Sequence, residues 1–122
     1  DEKVLKNCRE EIIDKGGYIF FAIFKSEVVG TMALIPREEG IYELNKMAVK
    51  KELRGNGIGH QLIQYTIDFA KNNEYKSVIL YSNTVLENSI HLYNKFGFKK
   101  IDNPDAPYKR SDIKMEYILS NS

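Results

Sequence analysis

Apolar residues recur along the chain with two different periods, and each period predicts a different element. Near the start, the apolar residues at helical spacing are Val4, Leu5, Cys8, Ile12 and Ile13. A spacing of three to four residues puts side chains on one face of a helix, so we expect a helix there. Gly16 and Gly17 follow it and supply a helix stop.

Strands are expected next. Residues 18–24 are rich in aromatic and β-branched side chains, and residues 28–35 and 41–49 also have the composition of strands. A polar turn at 25–27 joins the first two strands into a hairpin, and a loop at 36–40 leads into the third.

The second half of the chain alternates helices and strands. Helical spacing runs through residues 57–72, an apolar strand follows at 76–81, and a second helix is expected at 85–96. Thr84 and Glu87 fit a capping box at the start of that helix, and Gly97 fits its stop. The last expected segments are a strand at 98–101, a loop at 103–107 and a strand at 113–119.

This order of elements predicts a single α+β domain over residues 1–122, with a mixed, mostly antiparallel central sheet flanked by helices. Antiparallel hairpins come first in the chain. The strand–helix–strand unit at 41–81 should then add a parallel pair with a right-handed crossover. Apolar residues make up 43% of the 122, which is enough for a core.

Charge and cysteine usage narrow the function classes. The formal net charge of +1 argues against a nucleic-acid partner held by bulk charge. Cys8 is the only cysteine, so an internal disulfide and a thiolate zinc cluster are excluded, and His60 and His91 have no obvious metal partners. The longest apolar run, 18–24, is too short for a membrane span, and no secretory signal opens the chain. We therefore expect a soluble, cytoplasmic protein without a metal site.

The segment from Arg54 to Gly59 carries the chemistry, because it is a glycine-rich turn between a strand and an amphipathic helix. Bare backbone N–H groups and the helix dipole favour an anion such as a diphosphate at that position. Lys50, Lys51 and Arg54 add positive charge nearby. The alternative interpretation is that the glycines are needed only for the flexibility of the turn. Short glycine motifs are weak evidence for phosphate binding when taken alone.

Other phosphate-binding loops fit this segment less well. Its glycines Gly55, Gly57 and Gly59 are spaced as G-x-G-x-G, which differs from the G-x-G-x-x-G of a dinucleotide fold. No Gly-Lys-Ser/Thr follows, so the segment is not a Walker loop.

Two segments together resemble the GNAT acetyltransferases. Arg54, Gly57 and Gly59 fill that family's cofactor motif, and Leu92-Tyr93-Asn94-Lys95-Phe96-Gly97-Phe98 matches the core of its second motif. The resemblance covers about residues 18–119. Two departures stand out. Leu86 replaces an Asn that many members carry seven residues before the helix Tyr, with Asn83 and Asn88 close by. Family domains also begin with a strand and helix of which only part is present, so we expect an N-terminal portion to be missing.

The resemblance implies an acyl-CoA N-acyltransferase fold with a central splay and acetyl-coenzyme A (acetyl-CoA) as cofactor. The pantetheine arm of the cofactor would pair with the strand ending at Val49, in a splay between that strand and residues 78–81. A backbone N–H near Val49 would polarise the thioester. The implied cofactor-binding residues are Met47, Ala48, Val49, Arg54, Gly55, Asn56, Gly57, Ile58, Gly59, His60, Asn88 and Lys95.

The resemblance also implies roles for two catalytic residues. Tyr93 occupies the position of the commonly proposed proton donor, and Glu43 the position where some members carry a catalytic carboxylate. The alternatives are that Tyr93 is a core aromatic and that Glu43 is a sheet carboxylate paired with Lys46 or another cation. Residues 108–115 resemble the closing strand of bacterial members, which walls the acceptor cleft, or else form a charged edge hairpin.

Three functions follow from these observations. The first is an N-acetyltransferase that passes the acetyl group directly to a primary amine, on a small molecule or a protein, in a ternary complex. The second is a non-catalytic acyl-CoA sensor on the same fold, and the third, disfavoured by the glycine spacing, is a nucleotide-binding domain. No nucleic-acid or membrane partner is expected. The acceptor stays open, as does a homodimer, which is frequent in the family.

Overall fold

The computed structural model describes residues 7–13, 16–83, 85, 87–101 and 113–119. In these ranges seven strands form one sheet against which two helices pack. In chain order the elements are β1 Asn7–Ile13, β2 Gly17–Phe24, β3 Glu27–Glu38, β4 Ile41–Val49, α1 Ile58–Asn72, β5 Ser77–Ser82, α2 Glu87–Phe96, β6 Lys99–Ile101 and β7 Ile113–Ile118. A 3₁₀ turn, Lys51–Leu53, lies between β4 and α1.

The predicted N-terminal helix is wrong, because residues 7–13 form β1. This strand pairs antiparallel with β2, from Asn7 opposite Ile23 to Ile13 opposite Gly17. A separation of four residues, as between Cys8 and Ile12, fits two strand repeats as well as one helical turn. Pairing along the edge of β2 satisfies the backbone and overrides the local pattern. The glycines therefore join two strands, and Gly17 opens β2 where a helix stop was expected.

Strands β2, β3 and β4 form an antiparallel meander. The predicted turn is confirmed at Lys25 and Ser26, which both have positive φ, as tight hairpin turns require. The predicted loop at 36–40 is partly wrong, because β3 continues to Glu38 and only two residues remain for the turn. Pro36 is tolerated because it sits beside a bulge in β3.

The rest of the sheet confirms a mixed, mostly antiparallel arrangement. Its strand order is β1-β2-β3-β4-β5-β7-β6. β4 and β5 are parallel neighbours joined through α1, whereas β7 runs antiparallel to both β5 and β6. Thr84, Leu86 and the segment 102–112, which includes the predicted loop at 103–107, lie outside the described residues. In the described part of the chain, no helix has the length and apolarity needed to cross a membrane.

The core lies between one face of the sheet and the two helices. Gly30 allows α1 to approach β3 closely, since a Cβ there would lie 3.1 Å from side-chain atoms of both Ile58 and Leu62. Tyr93 of α2 joins the same core through an edge contact with Phe98. This packing fixes the start of α1 beside the start of β3 and the end of β4. The fully buried side chains include Phe20, Met32, Leu34, Leu62, Ile63, Thr66, Val78, Leu80 and Met115.

Candidate active site

β4 and β5 separate part-way along their length, as expected. Their parallel pairing runs from Ile41 opposite Ser77 to Glu43 opposite Ile79 and then ends. β4 nevertheless continues to Val49, and β5 to Ser82. The opening therefore begins beyond Ile79, slightly later than the predicted start at residue 78. On its β5 side, the second half of β4 has no strand partner among the described residues.

A bulge in β4 accompanies this separation. Thr31 of β3 faces Ala48, but Ala33 faces Asn45, so one residue of β3 stands opposite two residues of β4. A bulge bends the strand and interrupts the alternation of its side chains. Leu44 lies in the core, so unbroken alternation would place residues 46 and 48 on the α1 side. Met47 and Val49 lie there instead: a Cβ built on Gly59 would be 3.8 Å from Met47 Sδ and 3.9 Å from Val49 Cγ2.

The first turn of α1 offers uncovered backbone amides. Gly57 is the N-cap, with φ of 82° and ψ of 8°, and no side chain caps the helix there. In any α-helix the first N–H groups lack intrahelical acceptors, so those that follow Gly57 remain available to a ligand. A Cβ built on Gly55 or Gly57 would meet no atom within 4 Å, so the surface in front of these glycines is open. This arrangement suits an anion.

Side chains of the loop brace its backbone. Asn56 Nδ2 donates to the Leu53 carbonyl at 3.0 Å, so the amide of this predicted cofactor ligand helps to close the turn. Arg54 is exposed, and its Nε donates to the Val49 carbonyl at 3.3 Å, which ties the loop to the end of β4. Lys50 Nζ forms an ion pair with Glu27, and that hydrogen bond raises the pKa of Lys50 above 10.5.

The structure brings some of the predicted cofactor residues together and separates others. His60 is exposed in the first turn of α1, and its ring centroid lies 4.6 Å from that of Phe96 at the end of α2. Lys95, also exposed, precedes Phe96 and so belongs to the same end of α2. Asn88 lies in the first turn of α2, at the other end of that helix. Across the described ranges, no cluster of three or more His, Cys, Asp or Glu side chains could hold a metal ion.

Tyr93 is a core residue in a protonation state that suits a proton donor. It is 8% exposed, and its ring packs edge-on against Phe98 with the centroids 5.8 Å apart. Burial raises the pKa of Tyr93 above 10.0, because the charged phenolate would be poorly solvated. The phenol therefore keeps its proton at neutral pH.

Glu43 lies at the last paired position before β4 and β5 separate. It is 2% exposed, and Arg37 Nε donates to its Oε1 at 2.7 Å. Asn45 Nδ2 donates to Oε2 at 3.3 Å. The sequence had suggested Lys46 or another cation as the partner of this carboxylate. The structure identifies Arg37, which sequence reasoning missed because the strand was expected to end before it.

A pocket of about 370 Å³ lies beside the opening, on the sheet face away from α1. Strand alternation explains its position: Val78 and Leu80 enter the core, so Ile79 and Tyr81 face the other way. Lys114 Nζ lies 5.6 Å from the centroid of the Tyr81 ring. The pocket is lined by Arg37, Glu38, Ile41, Glu43, Ile79, Tyr81, Lys114 and Glu116.

Comparison with known proteins identifies the family. The model of the acetyltransferase (GNAT) family matches residues 2–98, which is most of the chain. This chain belongs to the GNAT acetyltransferase family. The resemblance found in the two sequence motifs is thereby confirmed.

Two curated relatives show how much of a longer protein the match spans. The chain is 33% identical over 87 residues to an N-acetylaspartate synthetase from Danio rerio, covering 70% of this chain and 31% of the relative. It is 31% identical over 91 residues to human N-acetyltransferase 8B, covering 70% of this chain and 40% of the relative. The chain thus spans less than half the length of these relatives.

Solved GNAT structures confirm the fold. A GNAT family acetyltransferase from Staphylococcus aureus Mu50 superimposes with a TM-score of 0.79 at 24% identity, covering 89% of this chain and 72% of the other. A GNAT family acetyltransferase from Elizabethkingia anophelis with acetyl-CoA bound gives a TM-score of 0.75 at 25% identity. That match covers 84% of this chain and 76% of the other. The mixed seven-stranded sheet is therefore the acyl-CoA N-acyltransferase fold.

Proposed function

We propose that this chain transfers the acetyl group of acetyl-CoA to a primary amine by direct attack within a ternary complex. One observation carries the proposal: the uncapped first turn of α1 lies beside the part of β4 that has separated from β5. An anion-binding helix end next to an unpaired strand edge suits a ligand that joins a diphosphate to an amide-containing arm. Membership of the GNAT family and the acetyl-CoA bound to the Elizabethkingia anophelis protein support this ligand.

The residues present fit such a cofactor. The amides of Ile58, Gly59 and His60 would hold the diphosphate, because the glycines before them leave the approach open. The exposed cations Arg54, in the loop before α1, and Lys95, at the end of α2 whose Phe96 contacts His60, would add attraction. Along β4, the backbone of Met47, Ala48 and Val49 would hydrogen-bond the arm as an additional strand would.

Two side chains would serve the transfer itself. The amine nitrogen attacks the thioester carbonyl carbon, the carbon–sulfur bond breaks, and the departing thiolate takes a proton. Tyr93 would supply that proton, since burial keeps its phenol protonated. Glu43 would either accept a proton from the amine through water or attract the ammonium form of the acceptor. The amide N–H near Val49 would stabilise the negative charge that develops on the carbonyl oxygen.

A non-catalytic acyl-CoA sensor is the second candidate. Its support is that Glu43 is already bound by Arg37 and Asn45 and that the Tyr93 ring is part of the core. Both side chains would then be bystanders, and the protein would bind the cofactor without turning it over.

Thiol release separates the two functions. The protein is first titrated with acetyl-CoA by calorimetry, and thiol formation is then followed with L-aspartate, L-lysine, spermidine and an N-terminal alanine peptide as acceptors. L-Aspartate is included because of the relative named N-acetylaspartate synthetase. A reaction without amine corrects for the thiol of Cys8. The proposal expects tight binding and amine-dependent thiol release. Binding without release with any amine would favour the sensor, and absence of binding would refute both.

A further inference from the structure

The Arg37–Glu43 pair forms one wall of the pocket beside the β4–β5 opening. Glu43 is almost fully buried, whereas the side chain of Arg37 is 42% exposed, so the guanidinium approaches the carboxylate from the solvent side. Arg37 Nε and Asn45 Nδ2 donate to different oxygens of Glu43. Because each oxygen has its own donor, the carboxylate is held in one orientation.

Arg37 occupies an unusual position in its strand. Pro36 faces Tyr42 and Glu38 faces Ile41, so Arg37 is the extra residue of a bulge in β3. Bulges are a common means of redirecting one side chain without interrupting a sheet, and they occur often beside active sites. Here the redirected side chain ends on the carboxylate that lies where β4 and β5 separate.

We propose that Arg37 is a positioning residue that holds the Glu43 carboxylate toward the pocket, where this carboxylate binds the ammonium group of the acceptor amine. The inference rests on the proposed function, since it assigns the pocket to the acceptor. Because Arg37 Nε and Asn45 Nδ2 hold its two oxygens, the carboxylate keeps its negative charge at a fixed place on the pocket wall, where it can attract a cation. Glu43 therefore acts in acceptor affinity. The bound ammonium loses one proton to water before its nitrogen can attack the thioester, and the nitrogen loses a second proton to water after the attack.

Arg37→Gln and Lys114→Gln each remove one cation from the same pocket, and a positioning role for Arg37 predicts opposite effects of the two variants on acceptor binding. Lys114 lines the pocket over the Tyr81 ring. If only net charge mattered, Arg37→Gln and Lys114→Gln would both strengthen the binding of a cationic amine. If Arg37 positions Glu43, Arg37→Gln weakens that binding, whereas Lys114→Gln, which only removes a positive charge from the pocket, strengthens it.

The kinetic test uses whichever amine in the panel gives the fastest thiol release. Arg37→Gln is expected to raise KM for this amine by about tenfold or more, with kcat changed less than about threefold, because the lost interaction acts in binding. Arg37→Lys, which keeps the charge, should recover part of the affinity. An unchanged KM in Arg37→Gln, or a loss of kcat alone, would overturn the proposal. So would an equal rise in KM for Lys114→Gln.

A double variant keeps the test valid if Arg37→Gln fails to fold. Removing one partner leaves a buried charge uncompensated, which is strongly destabilising, whereas Arg37→Gln combined with Glu43→Gln leaves none. A positioning residue acts only through Glu43, so this double variant should have the same KM as Glu43→Gln alone. A further increase in KM on adding Arg37→Gln would show that Arg37 acts independently, contrary to the proposal.

A binding measurement tests the same inference without turnover. With ¹³C-labelled glutamate, n-butylammonium chloride should shift the Glu43 Cδ resonance in the wild type and in Arg37→Lys, but not in Arg37→Gln. No shift in the wild type, or an equal shift in Arg37→Gln, would refute the inference. If no amine releases thiol, the proposed function fails and this resonance alone decides the role of Arg37.

Discussion

Gly57 offers a sharp test of the cofactor site, because Gly16 has nearly the same positive φ but lies away from the glycine-rich loop. Gly57 has φ of +82° and Gly16 has φ of +81°, and a Cβ on either would meet no atom within 4 Å. Gly16 precedes β2 at the opposite end of the strands from the loop: Tyr18 pairs with Leu34, whereas Val49 pairs with Gly30, four residues nearer the start of β3. The two positions therefore require the same positive φ of a substituted residue but differ in their distance from the loop.

Asparagine is the substitution of choice, since it tolerates the left-handed region better than most residues while adding bulk. Neither position has neighbouring atoms to clash with, so Gly57→Asn and Gly16→Asn should each cost at most about 1 kcal/mol of stability. At Gly57 the side chain would also block the amides that follow. Losing two hydrogen bonds to a charged group, at about 1.5 kcal/mol each, weakens binding by about 3 kcal/mol, or roughly a hundredfold.

The assay is a calorimetric titration with acetyl-CoA, with thermal unfolding as a check on folding. Gly57→Asn should raise Kd about a hundredfold, whereas Gly16→Asn should change it less than about twofold at a similar loss of Tm. Equal affinity in Gly57→Asn and the wild type would refute a diphosphate at the start of α1. Equal weakening of acetyl-CoA binding in both variants would show that the effect comes from backbone strain and not from blocked amides at the start of α1.

Three further predictions address the mechanism and the core. Tyr93→Phe should lower kcat about tenfold or more and leave the Kd for acetyl-CoA unchanged; thiol release and calorimetry measure both, and an unchanged kcat excludes Tyr93 as proton donor. Burial and the hydrogen bond with Tyr42 raise the pKa of Tyr75 above 10.0, so its contribution to stability is present below pH 10 and is lost as the pH rises further. The free energy of unfolding, measured in urea, should thus fall less between pH 9 and pH 11 in Tyr75→Phe than in the wild type, and an equal fall in both would contradict this. Leu62→Ala, at a fully buried position of α1, should cost about 2–5 kcal/mol in chemical denaturation, and a cost below about 1 kcal/mol would contradict the packing described.

Local pattern predicted the elements whose period was unambiguous. β4 and β5 and the helix between them were expected from an apolar strand, a long amphipathic helix and a second apolar strand, and the structure places the strands side by side. β1 was not predicted, because its apolar spacing fits both periods and only pairing with β2 decides between them. The splay was implied by family resemblance and not by any local pattern.

The Arg37–Glu43 pair lay beyond what the sequence could show. Pro36 indicated the end of a strand, so Arg37 was placed in a loop. A bulge instead lets β3 stay paired with β4 on both sides of this residue, with the register shifted by one. Bulges leave little trace in hydrophobic patterns, because they depend on how two strands align. For the same reason, the sequence suggested a cation near Glu43 but could not identify it.

Amide chemical shifts test the central claim most directly. In ¹⁵N-labelled protein, acetyl-CoA should shift the amides of Ile58, Gly59 and His60 as well as those of Met47 and Val49. S-acetylpantetheine, which lacks the diphosphate, should shift only the β4 amides. A response of the α1 amides to both ligands, or to neither, would contradict a cofactor whose diphosphate rests on the first turn of α1 and whose arm lies along β4.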